Sequence, residues 1–426
     1  MALAPKDGKE ADGSALHQVV VMILRRVVVA FAACAFVATI MGARLTASSS
    51  PTTRAARAQL VGALKNDLAS YLKMRGTVEH LSSLSLAVSF GANQPAITVT
   101  SGTTTFGGRT PVTPTSLYQI GSNTKAFTAV AILQLEAQGK LSIDAPLRKY
   151  LPQYPSYGKL TLRRLLNMTS GIESYDNLPS WERSYAARPM ANVPAVTLIR
   201  SIYPQIKFAP PGSKYRYSNT GYLIAQEVVA ALSNSKSFAS EILRIAGSAG
   251  LKHTSYTSHI YPPNVASEIV AGYYEQGDKG LLPLRGKDIS GYSLSWAQGA
   301  GSMVSTPEDL VRWARALYSG TTLLPVKQKA ELMSLISTKT AKPLSKPTAA
   351  DPSGFGLGVV QRFDPKLGTF WFYQGETLGF RAAHLYFPSS GLVVAVFANS
   401  RPIESKNHLP RLFAQLYSTI KKYSPK

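Results

Sequence analysis

The chain of 426 residues has a single cysteine, Cys34, inside an apolar stretch near the N-terminus. It therefore cannot form an internal disulfide, and the rest of the chain has no thiol for catalysis. No metal-ligand pattern and no phosphate-cradling glycine loop occurs, so the sequence predicts neither a metal nor an organic cofactor. It also lacks a Gly-x-Ser-x-Gly elbow, which leaves a Ser-His-Asp triad without an obvious nucleophile.

Acidic residues are scarce: 23 Asp and Glu stand against 46 Lys and Arg, for a net charge of +23. A basic surface favours anionic partners, and anionic envelope polymers are the specific partner we expect. No Arg/Lys run is interleaved with aromatic residues, so the sequence predicts no nucleic-acid partner, and a merely basic solvated surface remains the simpler interpretation. The apolar content of 45% and the chain length indicate a globular protein with two lobes or domains.

Residues 1–47 have the pattern of a targeting segment. Arg25 and Arg26 precede a 16-residue apolar stretch from Val27 to Gly42, and Ala43 or Ala47 could end a cleavage site. The stretch is short for a membrane span, which favours a signal peptide, but the apolar residues before Arg25 leave an uncleaved anchor open. We expect an exported protein, either periplasmic, anchored in the inner membrane facing the periplasm, or secreted, that meets the membrane only through this segment.

A serine and a lysine three residues apart carry the strongest chemical signal. Ser122 and Lys125 stand at the start of a predicted apolar helix that follows a strand-like run and Gly121. Positions three apart share a helix face, so the amine can reach the hydroxyl. A desolvated lysine with a lowered pKa can take the proton of a serine, and the free N–H groups of a helix start can stabilise developing negative charge.

Spacing alone does not single out Ser122. Ser-x-x-Lys also occurs at Ser70, Ser156, Ser233 and Ser418, in surface helices or polar turns. Only Ser122 joins a strand to a long apolar helix through a glycine, and that context favours it as the nucleophile.

The sequence predicts a second group of catalytic residues in Tyr217-Ser218-Asn219, on a turn that leads into another helix. A tyrosine beside a lysine ammonium has a lowered pKa and could pass a proton to the leaving group, while Asn219 could hold Lys125 or a substrate carbonyl. Tyr175-Asp176-Asn177 has the same Tyr-x-Asn spacing, but no helix pattern follows it.

The pattern of elements predicts an α/β (α+β) fold. Its helices and strands are predicted at Arg54–Met74 (helix), Leu84–Phe90, Ala96–Thr100, Gly368–Tyr373, Gly379–Phe387 and Leu392–Asn399 (strands), and Leu409–Lys422 (helix). Strands at both ends around a helical middle imply one antiparallel sheet built from both ends of the chain. We expect residues 48–426 to form two lobes: a mainly helical lobe at about 125–285, inserted into a sheet lobe formed by 54–124 and 286–426.

Several motifs recur together in one order: Gly121-Ser-Asn-Thr-Lys125, Leu165-Leu-Asn-Met-Thr-Ser-Gly171, Pro211-Gly212 before Tyr217-Ser-Asn219, and Gly299-Ala-Gly-Ser-Met-Val-Ser-Thr-Pro-Glu-Asp309. The chain thereby resembles the serine beta-lactamase and penicillin-binding superfamily, on its class C, D-Ala-D-Ala carboxypeptidase and esterase side. The resemblance spans roughly Leu84 to Ser400. It implies a beta-lactamase/transpeptidase-like fold, with Ser122 as nucleophile, Lys125 as its base, Tyr217 as proton shuttle and Asn219 as orienting amide.

The resemblance also places the family's third motif, Lys-Thr-Gly or His-x-Gly, at Tyr373-Gln374-Gly375. It implies an oxyanion hole formed by the backbone N–H groups of Glu376 and Ser122. Tyrosine and glutamine replace the residues that hold a substrate carboxylate in the family, which puts recognition of a beta-lactam or D-Ala terminus in doubt. Arg381 could supply the missing charge, although strand alternation does not aim it inward, and His384 is predicted to be a packed or surface residue.

These observations together predict an exported serine hydrolase that forms an acyl-enzyme on a small-molecule or cell-wall peptide substrate. A D-alanyl-D-alanine carboxypeptidase-like activity is the leading hypothesis. An esterase or weak beta-lactamase on the same fold is the alternative, and a catalytically silent binding or sensor protein is the alternative of another class.

Overall fold

The computed structural model describes residues 51–92, 94–208 and 210–423. The predicted targeting segment, residues 1–47, lies outside the described residues. Within the described ranges, no helix has both the length and the apolar composition that a membrane span requires. Residues Ala58–Ser424 group into one compact unit; the further division into a helical and a sheet lobe stays a prediction.

Twelve α-helices are described within these ranges. They are α1 Pro51–Glu79, α2 Thr124–Ala137, α3 Leu162–Leu166, α4 Pro179–Ala187, α5 Ala195–Arg200, α6 Asn219–Leu232, α7 Phe238–Ser248, α8 Pro263–Ala266, α9 Gln298–Gly301, α10 Pro307–Tyr318, α11 Val326–Leu332 and α12 Leu409–Tyr423. Short 3₁₀ turns lie at Gly121–Asn123, Leu147–Lys149, Pro155–Tyr157, Tyr175–Asn177, Lys279–Leu284 and Glu404–Lys406.

The strands are β1 Ser83–Ser89, β2 Ile97–Gly102, β3 Tyr118–Gln119, β4 Ser255–Tyr256, β5 Tyr273–Tyr274, β6 Met303–Ser305, β7 Leu335–Ser337, β8 Pro343–Leu344, β9 Ser353–Phe355, β10 Val360–Asp364, β11 Gly368–Glu376, β12 Arg381–Phe387, β13 Leu392–Ala398 and β14 Ser400–Arg401. Nine of them form one sheet in the order β2-β1-β13-β12-β11-β10-β9-β7-β8, and every neighbouring pair in it is antiparallel.

Strands from the two ends of the chain pair side by side near the β2 edge of this sheet. Strand β1 pairs with β13, from Leu84 opposite Ala398 to Ser89 opposite Val393. Both strands are buried along their whole length, as expected for strands covered on two faces. The predicted α/β (α+β) fold with a sheet built from both ends of the chain is confirmed.

Helices cover both faces of the sheet. On one face, α1 and α12 pack against the strands through buried side chains: Leu60, Leu64, Leu68 and Tyr71 from α1, and Leu409, Leu412, Leu416 and Ile420 from α12. The spacing of three and four residues makes each stripe one helix face. Burying each such aliphatic side chain contributes about 1.5–3 kcal/mol.

On the other face, α10 packs against β1, β12 and β13, and α2 packs against α10. This contact sets where the candidate nucleophile lies. Phe127 of α2 stacks on Trp313 of α10 with ring centroids 3.6 Å apart. Helix α2 is buried on nearly all sides, from Thr124 to Leu133. Its start is therefore held between the sheet and the remaining helices.

Candidate active site

Ser122 lies in the 3₁₀ turn that connects β3 to α2. Gly121 has φ +49°, and a Cβ there would overlap the backbone of Glu376. The glycine that singled out this serine in the sequence is therefore required both for the left-handed turn and for the close approach of β11. At the other end, Gly139 has φ +71° just beyond α2.

Lys125 is fully buried beneath Ser122. Its Nζ lies 3.0 Å from Ser122 Oγ and donates to Asn219 Oδ1 at 2.6 Å and to the carbonyl of Ala300 at 2.7 Å. Burial lowers the pKa of the amine to about 7, although the nearby charge of Asp176 acts in the opposite direction. A lysine with this pKa is largely neutral just above neutrality, the form that can accept the serine proton.

Tyr217 reaches the same serine from the opposite side. Its hydroxyl donates to Ser122 Oγ at 2.7 Å, and it lies 3.5 Å from the hydroxyl of Tyr373. The residue is 39% exposed, but its hydroxyl end is enclosed, and this burial raises the pKa of Tyr217 to about 12 against the opposing effect of these two hydrogen bonds. The expectation of a lowered pKa was wrong because desolvation of the Tyr217 hydroxyl raises its pKa more than the two hydrogen bonds lower it. Tyr217 is thus held protonated, as a proton donor.

Asn219 is the first residue of α6 and links Lys125 to a carboxylate. Its Nδ2 donates to Asp176 Oδ2 at 2.7 Å, which turns its Oδ1 toward Lys125. Asp176 also accepts a hydrogen bond from the hydroxyl of Ser174. The sequence interpretation set Tyr175-Asp176-Asn177 aside because no helix pattern followed. The choice of Tyr217 over Tyr175 agrees with the structure, since Tyr217 contacts Ser122. The expected absence of a following helix was wrong, since α4 begins at Pro179, and the 3₁₀ turn at Tyr175–Asn177 brings Asp176 to the site.

The predicted third motif forms the end of β11, beside the nucleophile turn. A Cβ on Gly375 would overlap the carbonyl of Ile120, so only glycine permits this approach. Because the backbone of Glu376 also lies against Gly121, the end of β11 and the nucleophile turn are adjacent, as a shared oxyanion hole requires.

The side chains of this motif point in two directions. Tyr373 is 4% exposed and meets Tyr217, whereas Gln374 and Glu376 line a cavity above Ser122. Gln374 Nε2 donates to Glu376 Oε1 at 2.5 Å. The structure therefore brings all eight predicted site residues to one place. Lys125 and Tyr217 hydrogen-bond to Ser122 directly, and Asn219 and Tyr373 join through them. The catalytic roles of these residues stay predictions.

The cavity has a volume of about 550 Å³ and contains residues that the sequence interpretation did not assign. These are Asp176, Asn177, Trp181, Glu182, Asp278, Leu281, Trp296, Leu378 and Arg401. They come from the turn and helix after residue 174, the 3₁₀ segment at Lys279–Leu284 with the residue before it, the loop before α9, the turn between β11 and β12, and strand β14. The repeated Tyr-x-Asn spacing was the only signal in the sequence for any of them.

Arg381 does not supply charge to the cavity. It is fully buried, and it donates from Nη2 to Glu79 Oε2 at 2.8 Å and from Nε to the carbonyl of Ser400 at 2.8 Å. The arginine in the cavity is Arg401, whose Nε lies 3.2 Å from Glu376 Oε2. The hypothesis that Arg381 supplies the charge was therefore wrong. The arginine in the cavity lies two residues beyond the last predicted strand.

His384 is a packed residue, as expected. Its Nδ1 lies 3.0 Å from Asn123 Oδ1 and its Nε2 lies 3.0 Å from the hydroxyl of Tyr318. Burial lowers its pKa to about 3, so it stays neutral. Asn123 in turn donates to the carbonyls of Ile120 and Ala382. His384 therefore holds the turn that carries Ser122 and does not face the cavity.

A serine beside a buried lysine and a tyrosine, on a helix start next to an antiparallel sheet, is the arrangement typical of the serine beta-lactamase and penicillin-binding superfamily of serine hydrolases. Residues 75–417 match the family model described as Beta-lactamase, and the chain belongs to this family.

Two curated relatives show the same likeness. The chain is 26% identical over 316 residues to a putative penicillin-binding protein PbpX of Bacillus subtilis, covering 72% of this chain and 67% of the relative. It is 26% identical over 323 residues to protein flp of Staphylococcus aureus, covering 73% of this chain and 58% of the relative. The matched part thus spans 67% and 58% of these relatives' length.

Among solved structures, a D-amino acid amidase from Ochrobactrum anthropi SV3 in complex with L-phenylalanine superposes with a TM-score of 0.70. The two chains are 22% identical, and the match covers 85% of this chain and 99% of the amidase. At this identity the likeness establishes the fold, and it confirms the beta-lactamase/transpeptidase-like architecture.

Proposed function

We propose that this chain hydrolyses amide bonds of D-amino-acid derivatives through an acyl-enzyme at Ser122. This class includes the D-alanyl-D-alanine carboxypeptidase reaction expected from the sequence. It also includes the amidase reaction named for the neighbour from Ochrobactrum. The observation that carries the proposal is the convergence of Lys125 Nζ, at 3.0 Å, and the Tyr217 hydroxyl, at 2.7 Å, on Ser122 Oγ.

The first half of the reaction follows from these contacts. Neutral Lys125 takes the proton of Ser122, and Oγ attacks the amide carbonyl. The backbone N–H groups of Ser122 and Glu376 receive the developing oxyanion, a contribution worth about 3 kcal/mol per donor. When the C–N bond breaks, Tyr217 gives its proton to the departing amine. Protonated Lys125 then returns a proton to Tyr217.

The second half regenerates the enzyme. Water replaces the amine, loses a proton to the same network and attacks the ester carbonyl, which releases the acid and restores the Ser122 hydroxyl. The fixed amide of Asn219 keeps Lys125 aimed at Ser122 through both halves.

A matched panel of substrates tests the proposal. The purified protein is incubated with a D-Ala-D-Ala peptide, a D-amino acid amide, a short-chain ester and a beta-lactam, and product release is measured for wild type and Ser122→Ala. We expect amide hydrolysis that Ser122→Ala abolishes. Hydrolysis of the ester or the beta-lactam alone would replace the proposal with the esterase or lactamase alternative. Turnover that survives in Ser122→Ala would remove Ser122 as nucleophile, and no turnover at all would favour a silent binding protein.

We further propose that residues 1–47 direct the protein out of the cytoplasm, on the support of the sequence pattern given above. Cell fractionation with N-terminal sequencing tests this. A mature N-terminus just after Ala43 or Ala47 indicates cleavage, and an intact membrane-bound chain indicates an anchor. Retention of the intact chain in the cytoplasm would contradict export.

A further inference from the structure

The cavity above Ser122 has the opposite charge to the rest of the protein. The chain carries +23, yet four carboxylates line the cavity against a single guanidinium. The carboxylates are Asp176, Glu182, Asp278 and Glu376, and the guanidinium is that of Arg401. A concave site lined mainly by one sign of charge focuses its field on whatever enters it.

Among the described residues that line the cavity, Arg401 is the one cation, and it is already paired. Arg401 Nε lies 3.2 Å from Glu376 Oε2, so this pair contributes little net charge. A substrate carboxylate would have to compete with Glu376 for the guanidinium. Such competition makes Arg401 a poor anchor for an anionic substrate terminus.

The other three carboxylates have no cationic partner within 4.0 Å among the residues that the structure describes. Each accepts a hydrogen bond from a neutral donor instead. Glu182 accepts from the backbone N–H of Gly280 at 3.0 Å, Asp278 from the hydroxyl of Tyr274 at 2.7 Å, and Asp176 from Asn219 at 2.7 Å. These bonds hold the carboxylates in place and leave their charge uncompensated.

Two indole rings stand among these carboxylates. Trp181 and Trp296 both line the cavity, with ring centroids 5.4 Å apart. The face of an indole attracts a cation through the ring quadrupole, and the attraction grows when the cation is partly desolvated. Carboxylates combined with tryptophan faces form a suitable environment for an organic ammonium group.

We propose that the substrate of this site carries an ammonium group, which Glu182 and Asp278 receive beside Trp181 and Trp296 while its amide carbonyl lies at Ser122. This inference rests on the proposed amide hydrolysis. It selects amides and peptides with a free amine over substrates recognised by a C-terminal carboxylate.

A matched substrate pair tests this inference: D-alanine p-nitroanilide and its N-acetyl derivative, which differ at the ammonium. We expect kcat/KM for the free amine to exceed that of the acetylated form by about tenfold, equivalent to about 1.4 kcal/mol. The preference should shrink as salt is raised, because partly exposed charges are screened. Equal or faster cleavage of the acetylated form, or cleavage of neither, would overturn the inference.

Two variants test whether the carboxylates of the cavity wall cause the preference for the free amine. The double variant Glu182→Gln, Asp278→Asn keeps an acceptor oxygen for Gly280 and Tyr274 but removes both charges, so the preference should fall to about threefold or less. Glu308→Gln, at an exposed carboxylate outside the cavity, is the matched control and should keep the full preference. An unchanged preference in the double variant would overturn the assignment.

Labelling with a neutral fluorophosphonate separates the two proposals. Labelling at the wild-type rate in the double variant shows that its site is folded. If Ser122 of the wild-type protein is labelled but the wild-type protein shows no preference for the free amine, the ammonium inference fails and the acyl-enzyme proposal stands. If Ser122 of the wild-type protein is not labelled, both fail.

Discussion

At the scale of single residues, the burial of Lys125 decides what the site can do. An exposed lysine stays protonated at neutral pH and cannot take a proton from serine. Lys125 is surrounded by the rings of Tyr217 and Tyr222, at 4.9 and 5.3 Å from Nζ, and no carboxylate forms an ion pair with it in the described part of the chain. Desolvation without a paired anion therefore disfavours the charged form.

The pH dependence of acylation follows from this environment. Below its pKa of about 7, Lys125 is protonated and blocked; above it, the neutral amine accepts the serine proton. We expect the second-order rate of acylation by a neutral agent to rise about tenfold per pH unit below pH 7 and to level off above it. Stopped-flow labelling from pH 5 to 9 measures this. A rate still rising steeply at pH 9 would show that Lys125 remains charged and is not the base.

The sequence could predict the residues around Ser122 because they lie in two short motifs, Ser122 to Lys125 and Tyr217 to Asn219. It could not predict Glu182, Asp278 or Arg401, since these side chains reach the cavity through packing of distant segments. Asp176 was visible as a repeated spacing, but its role depends on a hydrogen bond to Asn219, 43 residues later. A local pattern gives no information on such a contact.

At the scale of elements, the approach of β11 to the nucleophile turn is the critical contact. Two glycines permit it, Gly121 on the turn and Gly375 on the strand, since a Cβ at either position would overlap backbone of the other element. The longer strands were predicted closely because they alternate or are continuously apolar. Strands β7–β10, between Leu335 and Asp364, were not predicted; most are two or three residues long and too short to show a period.

The variant Gly375→Ala tests this contact. The added methyl group should push β11 away from Ile120, displacing the Glu376 N–H by a fraction of an ångström or more. We expect the acylation rate to fall by about 100-fold, since small misplacements of catalytic groups have effects of that size. Gly247→Ala, in α7 where a Cβ meets no atom within 4 Å, is the control and should acylate as wild type. A wild-type rate in Gly375→Ala would mean that this approach does not position the site.

At the scale of the whole molecule, a buried ion pair connects the two ends of the chain. Arg381 on β12 and Glu79 at the end of α1 are 302 residues apart, both fully buried, with Nη2 and Oε2 2.8 Å from each other. Glu79 also accepts from the hydroxyl of Tyr71 at 2.7 Å. The sequence indicated that both ends of the chain build one sheet. It did not indicate the ion pair between Arg381 and Glu79, because two residues that far apart in sequence leave no local pattern.

Removing one partner of this pair should be costly. We expect Glu79→Ala to lower the free energy of unfolding by about 3–5 kcal/mol, because Arg381 is left buried and uncompensated. The control Glu308→Ala breaks an exposed pair with Arg312 and should cost less than about 1 kcal/mol. Urea denaturation measures both. Similar small losses in the two variants would show that the Arg381 pair does not fasten the ends of the chain.

We expect the hydroxyl of Ser122, activated by neutral Lys125, to form the covalent intermediate. Intact-mass spectrometry followed by peptide mapping, after brief exposure to a fluorophosphonate at pH 8, tests this expectation. It should detect one adduct per chain, located on Ser122, that is lost in Ser122→Ala and forms much more slowly in Lys125→Ala. An adduct on another residue, or labelling of Lys125→Ala at the wild-type rate, would contradict it.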